Sequence, residues 1–152
     1  MNFVLRHVDM THRQVIDLVL EWLRKEGLRP VSTPRIGERA IPDVLVKHHD
    51  GKIVIIECKQ DYRPNDVARS INKYASFCDR LYLAMTMQHA YDMVERLNGL
   101  QTSFSRTDYG VIAVHPDQVG VLKVAPDLRF KEKLREQVDR ALSERLDRLR
   151  VK

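Results

Sequence analysis

Two acids stand at the ends of apolar runs: Asp43 in Ile41-Pro42-Asp43-Val44-Leu45-Val46, and Glu57 in Ile53-Val54-Ile55-Ile56-Glu57-Cys58-Lys59-Gln60. A carboxylate closing an otherwise buried strand is costly unless something answers its charge, and here two fall on successive strands with a lysine beside the second. Strand periodicity puts Glu57 and Lys59 on one face and Cys58 on the other. Whether Asp43 joins them depends on the turn. A two-residue loop at Asp50-Gly51 pairs His49 with Lys52 and sets Asp43 opposite Cys58. A three-residue loop, His49-Asp50-Gly51, with Gly51 supplying the left-handed position, pairs His48 with Lys52 and sets Asp43 across from Glu57. The second register is expected, because the residues match a type I turn followed by a bulge. Opposed residues on antiparallel strands have Cβ atoms roughly 4.5 to 5.5 Å apart, where like charges repel, so the pair calls for a cation between them. With oxygen donors alone that cation is hard: Mg²⁺, with Mn²⁺ able to substitute.

A metal held by Asp43 and Glu57 would lower the pKa of a bound water and neutralise charge growing on a phosphodiester, while Lys59 orients the water or stabilises the pentacovalent oxyanion. Arg35 and Arg39 lie in the loop entering the Asp43 strand and are expected to border the cleft. Arg69 and Lys73, spaced i, i+4 beside Asn72, suit a phosphate backbone.

The elements that must position these groups emerge from local signals. Thr11 is expected to cap a helix running to about Glu26, with Val15, Val19, Trp22 and Leu23 on its apolar stripe and Gly27 as its stop. A broken extended segment from Arg29 to Ile36 carries Pro30 and Pro34, which place it at a sheet edge or make it irregular. Ile41 to His49 and Lys52 to Gln60 form two strands of a hairpin. Pro64-Asn65-Asp66 opens a helix with Val67, Ile71, Tyr74 and Ala75 at helical spacing. Leu81 to Met85 reads as a short buried strand, Gln88 to Leu97 as a helix closed by Asn98-Gly99, and Leu100 to Tyr109 as a loop. Val111 to His115 and Val119 to Val124 pair across Pro116-Asp117, and Asp127 is expected to cap a last helix to about Arg150. The order is α, three strands, α, β, α, two strands, α: an α/β fold with helices on both faces of one sheet.

Pro42-Asp43, thirteen intervening residues, then Glu57-Cys58-Lys59 resembles the signature of the PD-(D/E)XK nuclease superfamily, with its restriction-endonuclease-like fold. The resemblance covers about residues 11 to 125. The segments Tyr74-Ala75-Ser76-Phe77-Cys78-Asp79-Arg80-Leu81-Tyr82-Leu83-Ala84 and Tyr109-Gly110-Val111-Ile112-Ala113-Val114 are similar to the MmcB-like branch of DNA-repair proteins, and the layout also resembles archaeal Holliday-junction resolvases. The resemblance implies a mixed sheet with an αβββαβ core, metal-dependent phosphodiester cleavage with Asp43, Glu57 and Lys59 as catalytic residues, and metal ligation by Asp43, Glu57 and the main-chain carbonyl of Cys58. Many relatives add an acid from the first helix, for which Asp17 and Glu21 are the candidates. Relatives with an exonuclease role often have Gln four residues before the Tyr of the next helix, where this chain has Ser70. The expected function is a DNA nuclease of repair or recombination; the alternative is a nucleic-acid-binding or assembly module that keeps the fold without cleaving.

The rest of the chain narrows the class. Its 152 residues suit one domain, residues 1 to 152, with no repeat or low-complexity linker. A net charge of +5, concentrated in the two terminal thirds, favours polyanionic partners, DNA first among them. No apolar run is long enough to span a membrane, and the start of the chain lacks a signal-peptide pattern, so a cytoplasmic location is expected. Two cysteines without CxxC spacing exclude an iron–sulfur site and read as reduced core residues. His48 and His49 alternate across a strand and do not share a metal. The last helix, apolar at Phe130, Leu134, Val138, Ala141, Leu142 and Leu149, either docks on the body or pairs with a second copy. A single-site nuclease cutting both strands needs two copies, so a homodimer is expected.

Overall fold

A computed structural model describes residues 6–37, 39–61, 63–99 and 108–150. The element order is α1 (His12–Lys25), β1 (Val31–Ser32), β2 (Val44–Lys47), β3 (Ile53–Lys59), α2 (Pro64–Tyr74), β4 (Arg80–Thr86), α3 (Met87–Gly99), β5 (Gly110–His115), β6 (Gln118–Lys123) and α4 (Glu132–Arg150). The six strands form one mixed sheet in the order β1-β2-β3-β4-β5-β6. β1, β2 and β3 are antiparallel neighbours, β3, β4 and β5 run parallel, and β6 returns antiparallel to β5 with a bulge at Val111/Ile112.

Side-chain alternation divides the core into two layers. On one face Leu45, Ile53, Ile55, Leu81, Leu83, Met85 and Val111 pack with Val67, Ile71 and Tyr74 of α2, Ala90 and Met93 of α3, and Val138, Ala141 and Leu142 of α4. On the other, Val44, Val46, Val54, Ile56, Cys58, Ala84 and Ile112 are covered by α1 through Val15, Ile16, Val19, Leu20 and Leu23. The two parallel steps, β3 to β4 and β4 to β5, each cross over through a helix, as parallel neighbours require. Because one helix covers a face that three share on the other side, a recess of about 260 Å³ remains beneath the end of α1, lined by Trp22, Leu28, Tyr82, Ile112 and Val121 among others.

The start of α1 is fixed by a capping box: Gln14 N donates to Thr11 Oγ1 at 3.2 Å, and Thr11 N donates to Gln14 Oε1 at 2.8 Å. Its end turns through Gly27 at φ +80°. The β2–β3 turn is the three-residue loop: His48 N donates to Lys52 O at 2.8 Å, Gly51 N to His48 O at 2.9 Å, and Gly51 has φ +85°. The ladder runs Val44↔Ile56, Leu45↔Ile55, Val46↔Val54, so Asp43 falls opposite Glu57.

The proline-flanked segment lies at the sheet edge, as its prolines imply, and contributes two strand residues, after which Thr33, at φ 47°, still donates to Asp43 O at 2.9 Å. Other expectations need correction. β2 is confined to Val44–Lys47. Asp127 does not cap the last helix, which begins at Glu132; its carboxylate instead accepts Arg80 Nε at 2.8 Å. Of the two alternatives for the last helix, docking on the body is the one seen: Val138, Ala141 and Leu142 of α4 pack in this chain's own core, and Arg145 donates to Ser32 O at 3.1 Å. The expected loop from Leu100 lies largely outside the described residues, as do the side chains of 146–150. Among the described residues no helix is long and apolar enough to cross a membrane. Both cysteines are free and buried.

Candidate active site

Asp43 enters β2 and Glu57 sits near the end of β3, and the hairpin register holds them face to face. Their hydrogen bonds interlock. Asp43 N donates to Glu57 Oε1 at 2.8 Å, and Cys58 N donates to Asp43 Oδ2 at 2.8 Å. Among the described residues no hydrogen bond reaches the other oxygen of either carboxylate, Asp43 Oδ1 or Glu57 Oε2.

Glu57 is only 8% exposed, on the face covered by α2. Burial and the adjacent charge of Asp43 push its pKa up from 4.5 to about 7, against the opposing pull of the Asp43 amide, Lys59 and Lys73. The same surroundings act on Tyr74, whose hydroxyl is pushed above its ordinary range by burial and by the charges of Glu57 and Asp43. That hydroxyl donates to Ile41 O at 3.1 Å and so ties α2 to the segment leading into Asp43. The Cys58 thiol lies on the opposite face, pushed well up by burial, and stays protonated; only its main chain belongs to the site.

Glu57 and Lys59 line a cleft of about 260 Å³ together with Asp66, Arg69, Ser70, Lys73 and Tyr74. The expected basic pair on α2 therefore borders the same cleft as the acid and the lysine. Lys73 Nζ lies 5.4 Å from the Tyr74 ring centroid, and Arg69 reaches Asp66 at 3.7 Å. The loop arginines behave differently. Arg35 lines a separate recess against α4 with Arg140 and Glu144, so the expectation that it borders the Glu57 cleft is corrected; Arg39 is exposed in the same loop.

Neither first-helix acid is brought to the carboxylate pair. Asp17 is exposed and paired with Arg13 at 3.1 Å, and Glu21 with Lys25 at 3.1 Å. The side chain that α1 does deliver is His12, whose Nε2 lies 3.1 Å from Asp43 Oδ2. Sequence reasoning missed it, as it missed Asp66 in the cleft wall. His12 is the first residue after a Thr cap, and the only hint it offered was that position; the contact depends on where α1 docks.

The donor set suits a hard cation, with two carboxylates at a strand end whose mutual charge is left partly unanswered. Among the described residues, no group of three or more His, Cys, Asp or Glu side chains is gathered as a metal cluster. Two carboxylates plus water is a set that Mg²⁺ uses, so the arrangement fits that ion better than Zn²⁺.

No protein-family model matches the chain, and no curated protein matches it. Among solved structures it is similar to the SPO1766 protein of unknown function from Silicibacter pomeroyi, at 20% identity and a TM-score of 0.67 over 94% of each chain. The likeness shows the class of the protein, a mixed α/β sheet flanked by helices, and the fold alone.

Proposed function

We propose that this protein is a divalent-metal-dependent nuclease that hydrolyses phosphodiester bonds in DNA, in repair or recombination, with a site of the PD-(D/E)XK type. The observation that carries the reading is the register of β2 on β3, which sets Asp43 opposite Glu57, and Glu57 in turn lines a cleft with Lys59, Arg69 and Lys73. Like charges directly opposed across a ladder cost stability, and a cation that bridges them removes that cost.

Asp43, Glu57 and the main-chain carbonyl of Cys58 would hold the metal. When bound, a Mg²⁺ ion supplies an acidified water and a counter-charge for the phosphate. The chain's own groups do the rest. Arg69 and Lys73 receive the phosphates flanking the scissile one and align the backbone along α2. Lys59, two residues beyond Glu57 on the same face, donates to the phosphoryl oxygen on which charge grows. Asp43 N–H fixes one oxygen of Glu57, and burial beneath α2 keeps bulk water from competing there.

A second reading, a nucleic-acid-binding module that does not cleave, is favoured by one observation: Glu57 is only 8% exposed, and that burial beside Asp43 pushes its pKa up to about 7. The deciding experiment is cleavage of end-labelled single-stranded, duplex, flap and four-way-junction DNA by wild type and Glu57→Ala, with Mg²⁺, Mn²⁺ or EDTA. Metal-dependent cutting lost in the variant supports the nuclease. Binding without cutting in either metal supports the module.

A further inference from the structure

The contact between α1 and the acid pair has no part in the proposed cleavage chemistry, and its significance rests on reading that pair as a cation site. His12 Nε2 lies 3.1 Å from Asp43 Oδ2, the same oxygen that accepts Cys58 N at 2.8 Å. An ionised carboxylate offers lone pairs only, so the imidazole must present its proton on Nε2. Two donors from different elements thus converge on Oδ2. Asp43 Oδ1 is left without a hydrogen bond among the described residues, and so as the oxygen open to a cation.

From this geometry we infer that His12 is the positioning residue of the site: by holding Oδ2 it fixes the rotation of the Asp43 carboxylate and sets the affinity for the divalent ion. Asp43 needs such a hold. It precedes the first ladder residue of β2, Val44, and its main-chain amide is already committed to Glu57. Without a second donor, the carboxylate can swing about its Cβ–Cγ bond and present either oxygen.

His12 is well placed to supply that donor. It opens a helix whose first turn is locked by the Thr11–Gln14 box and whose inner stripe of five side chains is buried on the sheet. An acid at this position would add a third negative charge; an imidazole adds a directed N–H. Groups that orient ligating residues from outside the coordination sphere typically alter metal affinity by about 10- to 100-fold.

The test is calorimetric titration of Mn²⁺ into wild type, His12→Ala, His12→Gln and Glu57→Gln, at a pH above the Glu57 value of about 7. The His12 side chain is 50% exposed, so its variants keep the fold, which thermal melts verify. His12→Ala is expected to bind Mn²⁺ about 10- to 100-fold more weakly, and His12→Gln, whose amide N–H can reach the same oxygen, to recover most of the loss. Equal or tighter binding by His12→Ala overturns the inference, and so does a Gln variant as weak as the Ala variant. If wild type binds and Glu57→Gln does not while His12→Ala is unaffected, only the role of His12 falls. If wild type itself takes up no Mn²⁺, the cation-site reading falls with it.

Discussion

Asp43 gives its amide to Glu57 and accepts the amide of Cys58 on its carboxylate, so the two acids stand opposite each other in the ladder while sharing only one hydrogen bond. That arrangement leaves a buried carboxyl whose ionisation is opposed by its neighbour. The consequence is a titration near neutrality.

Stability should therefore fall as pH rises through that range. Glu57 holds its proton to about pH 7 in the folded protein and releases it near 4.5 once unfolded, so its contribution is fully present below 4.5 and is lost as pH climbs through 7. The size is on the order of 3 kcal/mol. Urea melts of metal-free wild type and Glu57→Gln at pH 5 and pH 8 check this: the difference between the two proteins should be small at the lower pH and favour Gln at the higher. A difference that does not change with pH contradicts it.

The cation-site reading predicts the opposite trend for metal. Binding displaces the Glu57 proton, so Mn²⁺ affinity should rise from pH 6 to pH 8 and level off above the value of about 7. Calorimetry in two buffers of different ionisation enthalpy would count the proton released, and none released at pH 6 refutes the coupling.

Asp79 anchors α4 from beneath. It is 6% exposed, accepts Ile53 N at 2.8 Å and Arg135 at 3.2 Å, and its own main-chain carbonyl accepts Leu128 N at 2.7 Å. Asp79→Ala leaves a buried strand amide without its acceptor and should cost about 3 kcal/mol, while Arg135→Ala, at the half-exposed end of the pair, should cost about 1 kcal/mol or less. Denaturant melts of the two variants test the ranking.

Gly110 admits no side chain. A Cβ there would collide with the Tyr82 ring and lie 2.6 Å from Lys123 O, and the second contact is backbone. Gly110→Ala is expected to destabilise by about 2 kcal/mol, and adding Tyr82→Leu should recover only part of it. Gly51 is the contrast, since nothing lies within 4 Å of its missing Cβ and its φ of +85° alone penalises Ala, by about 1 kcal/mol. Thermal melts of the three variants check both values.

DNA binding offers a fifth check. If Arg69 and Lys73 meet phosphates, replacing both by Ala should reduce the slope of log affinity against log salt by about 2, whatever the DNA sequence. An unchanged slope removes α2 from the interface.

What the sequence made legible was local in origin. The pairing of Asp43 with Glu57 could be read because Gly51 and the turn residues before it dictate a loop length, and loop length dictates register. The αβββαβ order could be read because helix and strand periods alternate cleanly through residues 11 to 86. His12, Asp66 and the true company of Arg35 could not, since each depends on how a helix or loop settles on the sheet, at separations no local pattern encodes. Asp127 was misread for a related reason: a good capping residue was claimed instead by Arg80, 47 positions away.

The recess under α1 has a practical consequence. Its wall includes Trp22, the single tryptophan of the chain, half-buried on the same helix whose first residue touches Asp43. Intrinsic emission is therefore an optical gauge of α1 seating, separate from the α2–α4 side of the sheet. An event that lifts that helix is expected to expose Trp22 further and to shift its emission to the red.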